Sequence, residues 1–208
     1  IAAAYKPNLA FFERWGSEGI RWLEETIDQI PDGTIVIGDG KRGDIGNTAN
    51  QYAKSMFDHF GFDAVTVNPF MGRDAVKPFL SNPEKGAFIL CRTSNASASD
   101  LQSGDVIERT IQLALDMNEN DNAGLVVGAT APDELKDIRK KAQGLPFLIP
   151  GVGAQGSDLE SSLRNGSAGG SALINVSRGI SFAGDLSEQA IHDAADEYVN
   201  KMRNIIHV

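Results

Sequence analysis

The feature that most constrains this chain is a regular alternation. Seven short apolar runs, Ile1 to Lys6, Thr34 to Gly38, Ala64 to Asn68, Gly86 to Cys91, Ala123 to Gly128, Phe147 to Pro150 and Ala172 to Val176, are separated by segments with helical patterning. Leu9 to Trp15, Ser17 to Ile30, Ala49 to Phe60, a short helix reaching Leu80, Val106 to Met117, a helix opened by Ala131-Pro132-Asp133 and the last from Ser187 to Ile206 read as helices. Ile20, Leu23, Ile27 and Ile30 show the spacing most clearly. Strands apolar on both faces and joined by helices predict an α/β fold with a parallel sheet buried on both sides. With one strand more than the seven, preceding Ile1, the sheet closes into a (β/α)8 TIM barrel, and residues 1–208 form a single, N-terminally incomplete barrel domain. Closure places the polar strand ends Lys6, Asp39 with Lys41, Asn68, Ser94, Gly128, Gly151 and Ser177 on one rim, where barrel active sites lie. An open doubly wound sheet is the alternative.

One strand end carries more charge than the others. Asp39-Gly40-Lys41-Arg42-Gly43-Asp44-Ile45-Gly46-Asn47-Thr48 follows Thr34 to Gly38 and precedes a helical pattern. Side chains alternate along a strand, so Asp39 and Lys41 project to the same side, and Gly40 and Gly43 let the backbone turn between charged neighbours. Two carboxylates and an ammonium therefore converge. A solvated loop is the bland reading of the same residues.

Composition narrows the partners. Against 19 basic residues stand 28 acidic ones, a net charge of -9 with no basic run, which argues against nucleic acid and anionic membranes. An anionic ligand needs a locally positive pocket. Cys91 is the only cysteine and sits in an apolar run, which fits a reducing, cytoplasmic setting, and no apolar stretch reaches the roughly 18 residues of a membrane span. His59, His192 and His207 have no nucleophile or ligand partner at suggestive spacing, and no zinc-like cluster or calcium loop is present.

Gly151-Val152-Gly153-Ala154-Gln155-Gly156 matches G-x-G-x-x-G after a strand, which raises a dinucleotide site and a NAD(P)-binding oxidoreductase. The next strand ends in Ser177-Arg178 where a ribose-binding acid is required. A phosphate loop fits better. Glycine N–H groups, a Gln amide and Arg178-Gly179 can hold a phosphate between the last two loops, the usual phosphate site of barrels.

Taken together, Lys6-Pro7-Asn8, Asp39-x-Lys41-x-x-Asp44-Ile45-Gly46-Asn47-Thr48, Thr93-Ser94-Asn95, Pro150-Gly-Val-Gly-Ala-Gln155 and Ser177-Arg178-Gly179 resemble orotidine 5'-phosphate decarboxylase, in the branch with D-x-K-x-x-D-I-G-N-T and P-G-x-G-A-Q. The likeness runs through the whole chain in order. It departs at one point, since the family's first strand, with its Gly-Leu-Asp-Pro stretch and ribose-binding Asp, is absent from the numbered chain. The resemblance implies a lyase that converts orotidine 5'-phosphate to uridine 5'-phosphate, the last step of de novo UMP synthesis, without metal or cofactor. It implies Lys41 as proton donor in a Lys6-Asp39-Lys41-Asp44 array, and a homodimer in which Asp44 and Thr48 reach the neighbouring site. It further assigns Asn8 to the ribose, Ser94 to the pyrimidine edge, and Gln155 and Arg178 to the phosphate beside Gly153, Ser177 and Gly179. A loop around Gly151 to Gly166 is expected to close over it. The competing enzyme reading is a magnesium-dependent sugar-phosphate decarboxylase or synthase of the same superfamily with a related D-x-K-x-x-D.

Overall fold

The strands of the computed structural model are β1 (Ala4–Tyr5), β2 (Ile35–Arg42), β3 (Ala64–Val67), β4 (Gly86–Arg92), β5 (Ala123–Val127), β6 (Phe147–Pro150) and β7 (Ala172–Asn175). Described are residues 1–130, 132–153 and 159–206, so Ala131 and Gln155 lie outside the described residues. The helices are α1 (Ala10–Glu13), α2 (Gly16–Asp28), α3 (Gly46–Lys54), α4 (Arg73–Leu80), α5 (Asp105–Asp116), α6 (Pro132–Lys141), α7 (Leu159–Ser167), α8 (Arg178–Ser181) and α9 (Glu188–Ile206). A π-helical turn, Ser55–His59, prolongs α3, and a 3-10 turn, Ala96–Asp100, follows β4. The strands are ordered β1 to β7, and β1 with β2, β2 with β3, β3 with β4 and β6 with β7 pair in parallel. Among the described residues no helix is long and apolar enough to cross a membrane.

The chain divides into two compact units. One comprises Ala3–Leu90 and Gln112–Leu125. Its core is built from Leu9, Leu23, Ile37, Met56, Phe62, Val65, Val67, Phe79 and Ile89, all buried. Here β2 runs on to Arg42, past Gly38 where the sequence predicts its end. The continuation is irregular, because the register against β3 shifts between Gly38 and Arg42 and Lys41 adopts a left-handed φ of 46°. Glycine is required at position 38, since a side chain there would come within 2.4 Å of the Phe62 ring.

The other unit comprises Ile1–Ala2, Cys91–Ile111 and Val126–Val208. Helix α7 occupies the second half of the stretch expected to be a closing loop, so that expectation is corrected from Leu159 onward. Its buried face is Ser162, Leu163 and Gly166, too small and too polar to advertise a helix by hydrophobic spacing. Size is what that face needs: a side chain at Gly166 would come within 2.3 Å of Ile149.

The same unit is pinned by one buried cation. Arg139 is 1% exposed and lies in a run, Lys136-Asp-Ile-Arg139-Lys-Lys141, that reads as a solvated face. Its guanidinium donates to the carbonyls of Gly166 (2.7 Å), Ala142 (3.2 Å), Leu145 (2.7 Å) and Ser171 (3.1 Å) and lies 3.4 Å from the centre of the Phe147 ring. Burial pulls the group down to about 10, which leaves it protonated at neutral pH. One side chain thus satisfies the ends of α6 and α7 and the entries to β6 and β7. Arg139→Met should lower unfolding stability by roughly 2 to 5 kcal/mol in urea titrations, because buried carbonyls left without donors cost about 1 to 3 kcal/mol each, partly relieved by relaxation. A change below about 0.5 kcal/mol, the level of an ordinary surface site, would contradict this role.

Candidate active site

The charged stretch of β2 gathers its partners from β1 and β3. An isolated parallel bridge sets Asn8 beside Asp39; the Asp39 N–H donates to Pro7 O at 3.0 Å and the Leu9 N–H to Asp39 O at 3.3 Å. The chain leaving β1 is thereby tied to the strand end that carries the carboxylate. Lys6 Nζ consequently reaches Asp39 Oδ2 at 2.5 Å, and Lys41 Nζ reaches Asp39 Oδ1 at 2.6 Å. Asn8 adds a carboxamide next to this trio, its Oδ1 accepting from the Ala10 N–H at 3.2 Å.

Thr66, on β3, is the residue that sequence reading missed. Its hydroxyl donates to Asp39 Oδ1 at 2.9 Å and accepts from the Lys41 N–H at 2.9 Å. One buried oxygen therefore fixes both the carboxylate and the left-handed backbone of the lysine. The only advance signal was a hydroxyl in an otherwise apolar strand, and threonine is too common in strands for that to stand out. Burial pushes the Asp39 carboxyl up, but Lys6 and Lys41 outweigh it and hold the group below its ordinary value. The two lysines differ in access: the Lys6 side chain is 12% exposed, whereas that of Lys41 is 46% exposed and has an open side.

Neighbouring charges are turned elsewhere. Arg42 pairs with Glu13, and its guanidinium stands 5.4 Å from the Tyr52 ring centre. Asp44, expected as the fourth member, does not join the trio of its own chain. Its Oδ1 accepts from the Ile45 N–H at 2.8 Å, and it forms no ion pair among the described residues. Thr48 lies exposed in the first turn of α3.

The remaining expected residues fall in the other compact unit. Ser94 is half-buried after β4. Gly153 has a left-handed φ of 81°, and Ser177, Arg178 and Gly179 form the exit of β7 and the start of α8. Gly153 and Gly179 converge on one hydroxyl, since side chains built on them would meet Tyr198 Oη at 2.8 and 2.7 Å. Tyr198, on α9, gave no sign of this in the sequence, where it belongs to an ordinary amphipathic helix. The Asn175 amide donates to Ser177 Oγ at 3.2 Å, and Arg178 meets no carboxylate among the described residues. Gln155 lies outside the described residues. The bent glycine loops and a guanidinium that meets no carboxylate among the described residues suit a phosphate; the trio supplies two ammoniums around one carboxylate.

The comparisons agree with one another. The model of the orotidine 5'-phosphate decarboxylase / HUMPS family matches residues 1–192. An orotidine 5'-phosphate decarboxylase of Haloarcula marismortui is 50% identical over 206 residues, spanning 95% of this chain and 74% of that protein. One of Dehalococcoides mccartyi is 44% identical, spanning 99% of this chain and 80% of that protein. Among solved structures, Leishmania donovani OMP decarboxylase superposes with a TM-score of 0.89 at 43% identity, covering 99% of this chain and 81% of that one. The fold class is that of the TIM barrels.

Thr66→Val tests the joint role of the hydroxyl at almost constant volume. Asp39, with its lowered carboxyl, adds stability above the unfolded carboxylate range, and that stability is lost as pH falls through the folded value. Removing a hydrogen bond to the charged form should raise the folded value and move the acid-unfolding midpoint, followed by circular dichroism, to higher pH. Thr66→Ser should behave as wild type. An unmoved midpoint in Thr66→Val would refute the assignment.

Proposed function

The chain belongs to the orotidine 5'-phosphate decarboxylase / HUMPS family, and on that premise we propose how its residues carry out the family's reaction. The reaction is decarboxylation of orotidine 5'-phosphate to uridine 5'-phosphate in pyrimidine biosynthesis. The observation that carries the mechanism is the Lys6–Asp39–Lys41 trio with its half-exposed lysine. The bond between C6 and the carboxylate breaks, carbon dioxide leaves, and the electron pair stays on C6 as a vinyl carbanion that the ring does not delocalise as an enolate. Lys41 meets that charge as an ammonium already held in place, then gives C6 its proton. Preorganised charge of this kind is commonly the largest contribution to catalysis. Asp39 orients Lys41 and stands near the departing carboxylate, so their repulsion falls as carbon dioxide leaves.

The distal groups bind rather than react. Asn8 is assigned to the ribose hydroxyls and Ser94 to the pyrimidine edge. Gly153, Gln155, Ser177, Arg178 and Gly179 are assigned to the phosphate. Contacts to this nonreacting group supply binding energy that orders the site around the base.

The proposal extends to a homodimer with shared sites. Asp44 meets no cation among the described residues of its own chain, and the surface around it is unusually apolar: Ile45 is 53% exposed, Phe70 83% and Met71 55%. Gly43 packs so closely on the exit of β3 that a side chain there would meet Asn68 O at 2.9 Å, which sets the Asp44 loop beside the Phe70–Met71 turn. Exposed aromatic and methionine side chains clustered in this way favour burial by another subunit. The proposed setting is the cytoplasm, in keeping with Cys91, a lone buried thiol pushed up to about 12.

Lys41→Ala should lower kcat for orotidine 5'-phosphate by roughly 10⁴ or more, given that acid and electrostatic groups are each worth about 10² to 10⁴. Less than a tenfold loss in a folded variant would sink the mechanism.

The shared site is tested by mixing inactive Lys6→Ala and Asp44→Ala proteins and allowing subunits to exchange. One site of each mixed dimer then carries both defects and the other neither, so activity should return to about a quarter of wild type. If native mass spectrometry showed mixed dimers without activity, Asp44 would have to act in its own subunit.

A further inference from the structure

The exit of β4 is gripped from two sides by groups that belong neither to the charged trio nor to the phosphate loops. On one side the Thr93 N–H donates to Gln102 Oε1 at 2.6 Å. The Thr93 hydroxyl stands 2.9 Å from the same oxygen and 2.6 Å from Asn95 Oδ1. A hydroxyl has one proton and serves one of these acceptors, so the backbone N–H bond is the constant part of the grip. Gln102 is itself anchored, because its N–H donates at 2.7 Å to the carbonyl of Ala98, a buried residue of the 3-10 turn.

On the other side lies the end of β5. The Gly128 N–H donates to Arg92 O at 2.7 Å, and a side chain at Gly128 would come within 2.8 Å of Ser94 N and 2.9 Å of Ser94 Cα. Arg92 completes the frame, its Nε donating to Glu134 at 2.5 Å and its Nη1 to Thr93 O at 2.7 Å. At the centre is Ser94, whose hydroxyl makes no hydrogen bond among the described residues. A short polar loop has no need of so much fixation for its own sake. A hydrogen bond that must discriminate one base from another does, because selectivity disappears when the donor or acceptor can follow the wrong partner.

We propose that Gln102 is a positioning residue for base recognition, which holds the Thr93 backbone through its amide oxygen so that Ser94 meets a uracil edge and rejects a cytosine edge. The inference rests on the assignment of Ser94 to the pyrimidine. What Gln102 contributes is an acceptor, which makes the substitutions specific. Gln102→Met keeps the length and removes the acceptor. Gln102→Glu keeps an acceptor oxygen. Gly128→Ala disturbs Ser94 from the opposite side.

The measurement is the ratio of the competitive inhibition constants of CMP and UMP, taken on the intact chain with melting temperature recorded alongside. The ratio should fall roughly tenfold in Gln102→Met and in Gly128→Ala, the size of one selective hydrogen bond, and stay within about twofold of wild type in Gln102→Glu. A purely structural role would weaken both nucleotides equally and leave the ratio unchanged, which overturns the proposal. Ser94→Ala separates the two ways of failing. If it lowers the ratio and Gln102→Met does not, the clamp is wrong and the role of Ser94 stands. If Ser94→Ala leaves the ratio intact, the role of Ser94 falls and the clamp falls with it. Should Gln102→Met not fold, Gln102→Leu, which also lacks the acceptor, decides by the same criterion.

Discussion

Asp39 is 7% exposed, and an ion so placed is tolerable only when its charge and lone pairs are met. Two ammoniums and a threonine hydroxyl meet them, and much of the surrounding backbone follows from that need. To bring Lys6 alongside, the chain after β1 bridges to Asp39 itself. To fold Lys41 back onto a residue two positions earlier, β2 breaks register and its lysine takes a left-handed conformation, which costs a side-chain-bearing residue about 1 kcal/mol. Thr66 offsets that cost by accepting the very N–H that the irregular backbone releases. The strain and the charge are therefore one problem with one solution.

How much of this could be read in advance depended on the range of the interaction. The strand alternation, the helices and the convergence of Asp39 with Lys41 are local, carried by patterns of two and of three to four residues, and the structure contains them. Thr66, Gln102 and Arg139 act across 25, 9 and up to 32 positions of sequence. Each has a neighbourhood that suggests something duller. Thr66 sits in a strand whose residues are all buried, Gln102 in a polar loop, and Arg139 among lysines. Residue type reveals what chemistry is available, whereas these three matter because of the acceptor or donor that folding delivers to them. Helix α7 escaped for a related reason: its face is chosen for smallness against Ile149, and smallness leaves no hydrophobic period.

Polar groups at the two ends of the strands do different work. Arg139 binds carbonyls where β6 and β7 begin, with all three guanidinium nitrogens engaged and the side chain buried. Lys41, beyond the middle of β2, keeps nearly half its side chain exposed, and Arg178, after β7, meets no carboxylate among the described residues. A saturated cation adds rigidity and has nothing left for a ligand. Conversely, an unsaturated one costs the empty protein some stability and is useful only if a ligand completes it. The division matches the barrel rule that strand ends carry chemistry and strand beginnings carry stability.

Charge counting shows why a fourth member from another subunit would matter. Within one chain the trio sums to a single positive charge, set in a protein of net charge -9. Such a site attracts an anionic substrate, but it also stabilises the carboxylate that must be lost, and binding the ground state as well as the transition state gains nothing in kcat. Adding the proposed carboxylate of a neighbouring Asp44 makes the array neutral. In the proposed mechanism, net attraction for the reactant carboxylate then falls, while Lys41 still presents an ammonium to the C6 electron pair. Selectivity for the transition state would come from where the charges lie rather than from their total, which gives the backbone of Lys41, held by Thr66, a part in the proposed mechanism alongside the lysine itself.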